Sequence, residues 1–193
     1  VRVLCCFSGR IPEGGPYDIN QHGLYPSAIR ALQAYAPGFE LVDVSGDDYA
    51  YWGQIRARWT GEKDLVLVEQ DVEITADVLP GFIGCPSPWC TFRYRYWRTW
   101  PPSADACGCT RYSARLQREI PARVIEAGWG TCGACCGPDG RPGYGSPPRP
   151  GCWRHVDAAI LTAFQEAGFK QSCRHESPLL AHRKEAALAS QRA

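Results

Sequence analysis

DLVLVEQDVEIT, residues 64–75, is the stretch around which the rest of the sequence arranges itself. Its apolar run, Leu65 to Val68, stops at Glu69-Gln70-Asp71 and resumes at Val72 and Ile74. A short aliphatic and β-branched run bounded by charge reads as a strand buried on both faces, as in the middle of a parallel sheet. Acids at the exit of such a strand stand at the carboxyl edge of the sheet, where open α/β folds bind their ligands. Residues two apart in an extended chain share a side, so Glu69 and Asp71 are expected to face one ligand together. Paired carboxylates there suit a hard divalent cation and, through it, a diphosphate.

Upstream, Val1 to Phe7 reads as a first strand, followed by the Gly- and Pro-rich segment SGRIPEGGPYDINQHG. Leu24, Ala28, Leu32 and Tyr35 recur at helical spacing until Pro37-Gly38 ends the pattern. Phe39 to Val44 reads as a second strand, Ser45-Gly46-Asp47-Asp48 as a turn and cap, and Tyr49 to Trp59 as a helix that Gly61 breaks. Strand, helix, strand, helix, strand predicts right-handed βαβ units. The expected fold class is therefore α/β, a Rossmann-like α/β/α sandwich around a mostly parallel central sheet.

Downstream, Ala76 to Phe82 reads as a short helical turn. CPSPWCTFRYRYWRTW, residues 85–100, alternates Phe92, Tyr94 and Tyr96 with Arg93 and Arg95, which predicts a strand with one aromatic and one basic face. Leu116, Ile120, Val124 and Ala127 share one helical face, and Pro121 inside that pattern predicts a kink or a late start. Residues 128–151 are nearly devoid of aliphatics and cannot pack a core of their own. A last helix begins near Trp153, with Val156, Ile160, Ala163 or Phe164 and Ala167 on one face, and Gly168 ends it. Phe169 to Cys173 reads as an edge strand, Leu179 to Ala181 as a short apolar run before His182, and residues 183–193 as a polar tail.

A chain of 193 residues can bury one sizeable core. Its 21 basic and 20 acidic side chains nearly cancel, which removes a bulk electrostatic case for nucleic-acid binding and leaves only a local patch. The apolar start is too short for a signal peptide and no stretch approaches a membrane span, so a cytoplasmic protein without a membrane partner is expected. Eleven cysteines, an odd count without an export signal, predict reduced thiols and at most one metal site rather than a disulfide framework.

Four motifs follow one another along the chain: LVLVEQDVEI as a variant of Asp-x-Asp, CTRYSARL, Trp153 with Asp157 at the head of a helix, and HESPLLAH. In this order they resemble the small GT-A glycosyltransferases, in particular compact family-2-like members found in phage genomes. The resemblance implies one catalytic domain over residues 1–182. Residues 1–75 would hold the nucleotide sugar, and 76–182 the acceptor, with 128–151 as an insertion. It implies a nucleoside-diphosphate donor, a UDP-sugar favoured, bound through Mn²⁺ or Mg²⁺ and transferred with inversion. Asp71 would contact the metal directly, with Glu69 and Gln70 beside it at the donor. Arg10 and Tyr17 lie where this fold holds the nucleotide. His182 would supply a third metal ligand, with His175 as its competitor, and Asp157 would be the base that takes the acceptor proton. The implied acceptor is a hydroxyl, either of a hydroxymethylpyrimidine in phage DNA or of a virion protein.

Plainer readings stand beside these. An acid after a buried strand can be a helix cap or a solvated turn, and Asp157 can simply complement a helix dipole. Trp89, Tyr94, Tyr96 and Trp153 can stack on a sugar or a base, or the 92–100 aromatics can form ordinary cross-strand pairs. Cys132, Cys135, Cys136 and Cys152 could hold Zn²⁺, with Cys107 and Cys109 upstream. The alternative function is then a zinc-stabilised nucleic-acid-binding module without enzymatic activity. A nucleotide-sugar pyrophosphorylase-like transferase would need a Lys in its Gly-rich loop, and GRIPEGG has none.

Overall fold

The computed structural model describes residues 1–7, 26–45, 50–94, 108–128, 156–169 and 173–182. Among the described residues the strands are β1 (Arg2–Phe7), β2 (Glu40–Asp43), β3 (Leu65–Val68), β4 (Val72–Glu73), β5 (Trp89–Tyr94), β6 (Cys109–Tyr112) and β7 (Cys173–His182). The helices are α1 (Pro26–Tyr35), α2 (Ala50–Arg58), α3 (Val78–Gly84), α4 (Ala114–Glu119), α5 (Ala122–Gly128) and α6 (Val156–Glu166).

The strands form one sheet in the order β2-β1-β3-β6-β5-β7-β4. β1 runs parallel to β2 and to β3, and β5 runs parallel to β7. β6 lies antiparallel between β3 and β5, and β4 antiparallel to β7. β1, β2, β3, β5 and β7 therefore all point one way, which makes the sheet mostly parallel, as the strand–helix alternation predicts.

Alternation along each strand sorts the core into two layers. Val3, Cys5, Val66 and Val68 pack on α1 and α3. Leu4, Cys6, Leu65 and Leu67 pack on α2, α4, α5 and α6. The result is an α/β/α sandwich, and β3 is buried along its whole length. Each such fully buried aliphatic side chain contributes about 1.5–3 kcal/mol.

The amino end of β3 is held by polar side chains. Gln117, itself buried, donates to the carbonyls of Lys63 (2.9 Å) and Tyr112 (3.0 Å) and accepts from the Gly61 N–H (3.1 Å). Asp64 accepts from the Ala114 N–H and from Arg111, each at 2.8 Å.

Three local expectations change. The edge strand expected over Phe169 to Cys173 is instead β7, Cys173–His182, which lies between β5 and β4. CTRY at 109–112 is the inverted strand β6, which hydrophobic patterning does not reveal because the buried Arg111 interrupts it. Pro121 splits the predicted helix into α4 and α5 and resets its phase, so Ile125 enters the core and Val124 is exposed. The cap at 46–48, the strand continuation at 95–100, the insertion and the tail lie outside the described residues.

Candidate functional site

β1 and β3 are neighbours, but the chain leaves β1 for β2 on one side and reaches β3 on the other. The crevice between their carboxyl ends is thus the topological switch point, where α/β sheets take ligands. Glu69, Gln70 and Asp71 follow β3 at this point. The chain does not stay extended, however. The Val72 N–H donates to the Glu69 carbonyl (3.1 Å), closing a four-residue reverse turn. The expected two-residue alternation of Glu69 and Asp71 is therefore corrected, because a turn and not a pleat presents the two acids.

Both carboxylates still act on one neighbour. Burial, then the Cys6 thiol, then the charges of Asp71 and Glu69 push the Cys5 thiol up to about 12. Asp71 is only 1% exposed, while Glu69 and Gln70 are half-buried. The turn is tied to the start of β6 by the Glu69 N–H, which donates to the Gly108 carbonyl (2.8 Å). A Cβ at Gly108 would fall 2.4 Å from the Tyr94 ring, so only glycine allows this approach.

After the turn, β4 pairs with the end of β7, which sets His182 opposite Val72 and Ala181 opposite Glu73. The backbone of His182 thus arrives one residue from Asp71. His175 is elsewhere: it stands opposite Phe92 on β5, stacks on that ring (centroids 4.6 Å apart, 15° between planes) and meets Phe82 edge-on. This corrects its expected role as competitor for the Asp71 site.

Asp157 lies in the first turn of α6, half-buried. Near the other end of that helix, Phe164 touches Trp59, Trp89 and Tyr112. Tyr112 and Trp89 stand level with Leu65, at the amino edge of the sheet. Seven residues of helix separate Phe164 from Asp157, about 10 Å, the height of β3.

Trp89 is a core side chain, buried and edge-on to Phe164 (5.1 Å), and Tyr94 is buried over Gly108; burial corrects the expectation that they form a stacking platform. Arg10, Tyr17, Tyr96, Trp153, Cys132, Cys135, Cys136 and Cys152 lie outside the described residues.

A second cluster joins His175, expected from the sequence as a metal ligand, to two cysteines that the sequence does not single out. Ligand atoms of Cys85, Cys173 and His175 all lie within 4.8 Å of one another, a group that could hold a metal ion. Burial alone would raise the Cys85 thiol, but hydrogen bonds from the Ser87 N–H, the Cys173 thiol, the Ser87 hydroxyl and the Cys90 thiol hold it below the ordinary range. Burial lowers His175, helped by the nearby Arg111 charge. Cys85 and Cys173 are 88 positions apart, which hides the cluster; the one readable signal is Cys173-x-His175, two ligands on one side of a strand.

No family model matches the sequence, and no curated protein matches it. Among solved structures, the chain is similar to a glycosyltransferase involved in the glycosylation of the major capsid of PBCV-1. Identity is 13%, the match covers 92% of this chain and 94% of the other, and the TM-score is 0.34. A likeness at this level assigns neither activity nor substrate. Among the described residues no helix is long and apolar enough to cross a membrane.

Proposed function

We propose that the chain is a metal-dependent glycosyltransferase that moves a sugar, with inversion, from a nucleoside-diphosphate donor to a hydroxyl acceptor. A UDP-sugar is the favoured donor, and a hydroxymethylpyrimidine in DNA or a protein hydroxyl the favoured acceptor. The observation that carries the reading is the buried carboxylate of Asp71 at the switch point after β3, with the His182 backbone brought alongside by β7.

A hard divalent cation would be held by a carboxylate from Asp71, by a second from Glu69 directly or through water, and by an imidazole from His182, a set of donors whose chemistry suits such an ion. When bound, Mn²⁺ or Mg²⁺ supplies Lewis-acid stabilisation of charge on the departing diphosphate. The acceptor oxygen forms a bond to the anomeric carbon, and the bond from that carbon to the diphosphate oxygen breaks with its electron pair leaving on the nucleotide. Asp157 takes the acceptor proton. Gln70, beside Glu69, contributes an amide to the donor.

The test is incubation with a panel of UDP- and GDP-sugars and Mn²⁺, following nucleotide release. Donor turnover that falls about a hundredfold or more in Asp71→Asn supports the reading. No donor binding by the native chain, together with salt-sensitive DNA binding, overturns it in favour of a nucleic-acid-binding module.

A further inference from the structure

We propose that Cys85, Cys173 and His175, completed by Cys90, form a structural site for Zn²⁺ that is separate from the Asp71 turn. Cys173 and His175 are two apart on β7 and share a side; Cys90 is the register partner of Cys173 on β5; Cys85 enters from the connection between α3 and β5. Ligand atoms of Cys85, Cys173 and His175 are within 4.8 Å of one another, and the Cys90 thiol donates to the Cys85 sulfur. Two thiolates on one tetrahedral zinc stand about 3.7 Å apart, so small rotamer changes close the site.

The chemistry of the set selects the ion. Thiolates with one imidazole favour Zn²⁺ over the hard cation that suits Asp71. The Nε2 atom of His175 is buried and has no hydrogen-bond partner among the described residues. The Ser87 N–H and hydroxyl, already directed at the Cys85 sulfur, orient that ligand. Arg111, which hydrogen-bonds the Cys90 sulfur, is also held in a 2.8 Å ion pair with Asp64. Cys173 and His175 are half-exposed, which leaves an entry path.

The site has work to do in the fold. Between the pairs Phe92–His175 and Tyr94–Leu180, two residues of β5 span five of β7. Pro178 falls in this irregular stretch, where it cannot donate to the ladder. The ladder is interrupted there, and a metal joining His175 to Cys85 would pin the strand just before the irregularity. The same strand then delivers His182 to Val72.

The experiment uses the full chain carrying Cys132→Ala, Cys135→Ala and Cys136→Ala, so that those cysteines cannot contribute. The metal-stripped protein is titrated with Co²⁺ and then Zn²⁺. The expected result is a thiolate-to-cobalt charge-transfer band with tetrahedral visible bands, saturating at one equivalent per chain and displaced by Zn²⁺. His175→Phe, which keeps a ring on Phe92, is expected to weaken Co²⁺ binding about tenfold or more, and Cys173→Ala to remove the band. An absent band, or one unchanged in His175→Phe, overturns the proposal, as does a Cys85–Cys173 disulfide found by peptide mass in reducing buffer. Donor turnover is not read, so failure here is distinct from failure of the glycosyltransferase reading.

Discussion

Val72 and His182 stand opposite each other in the antiparallel pairing of β4 with β7, one residue past the buried Asp71. The pairing joins the chain just after the central strand to its last described strand, across 110 positions of sequence (182 minus 72). If His182 is a metal ligand, His182→Ala raises the Mn²⁺ concentration for half-maximal donor turnover about tenfold or more. Mn²⁺ titration without donor shows the same shift, and an unchanged titration removes His182 from the site.

Asp157→Asn separates the two halves of the proposed chemistry. The amide keeps the shape of the side chain but cannot accept the acceptor proton, so transfer falls about 10²–10⁴-fold. Donor and Mn²⁺ affinity, set at the Asp71 turn, stay within about twofold. The check is acceptor transfer and donor binding measured side by side. Equal losses in both make Asp157 a residue of helix stability.

Much of the fold is legible from residue patterning, and its limits are physical. β3 stands out because Leu65–Val68 is apolar without interruption, and α6 because Val156, Ile160, Ala163 and Phe164 keep one phase up to Gly168. β6 is hidden by Arg111, whose charge is balanced by Asp64 and by the carbonyls of Cys85 and Ser87, contacts that only the folded chain brings together. At the site, the sequence marks Glu69 and Asp71 but not the turn between them, which depends on the Val72-to-Glu69 hydrogen bond. His175 and His182 look alike in HESPLLAH. The irregular pairing within β7 sends the first to the cysteines and the second to Val72.

Gly108→Ala tests how tightly the turn is braced. The new methyl would sit 2.4 Å from the buried Tyr94 ring, next to the carbonyl that accepts from Glu69. Overpacking of this kind costs about 1–3 kcal/mol, and the shift of β6 reaches the Asp71 turn directly. Urea unfolding is expected to show that loss, and donor turnover is expected to fall with it. Adding Tyr94→Leu makes room for the methyl and recovers most of the stability; without recovery, the clash is not the cause.

Cys6 gives the fold a pH dependence with a definite sign. Burial pushes its thiol up to about 12, the Glu40 charge adds to this, and Arg58 only partly opposes it. Unfolded, the thiol titrates at about 8.5. Between these values the unfolded chain gives up the proton that the fold retains, so stability is full below about pH 8.5 and falls as pH rises, at about 1.4 kcal/mol per unit. Cys6→Ala removes this contribution while leaving a small cavity. The variant is therefore less stable than the native chain at pH 7, and the gap shrinks by about 2 kcal/mol by pH 10. Urea unfolding of both proteins in reducing buffer at the two pH values measures the gap directly, and a constant gap means that Cys6 ionises as readily folded as unfolded.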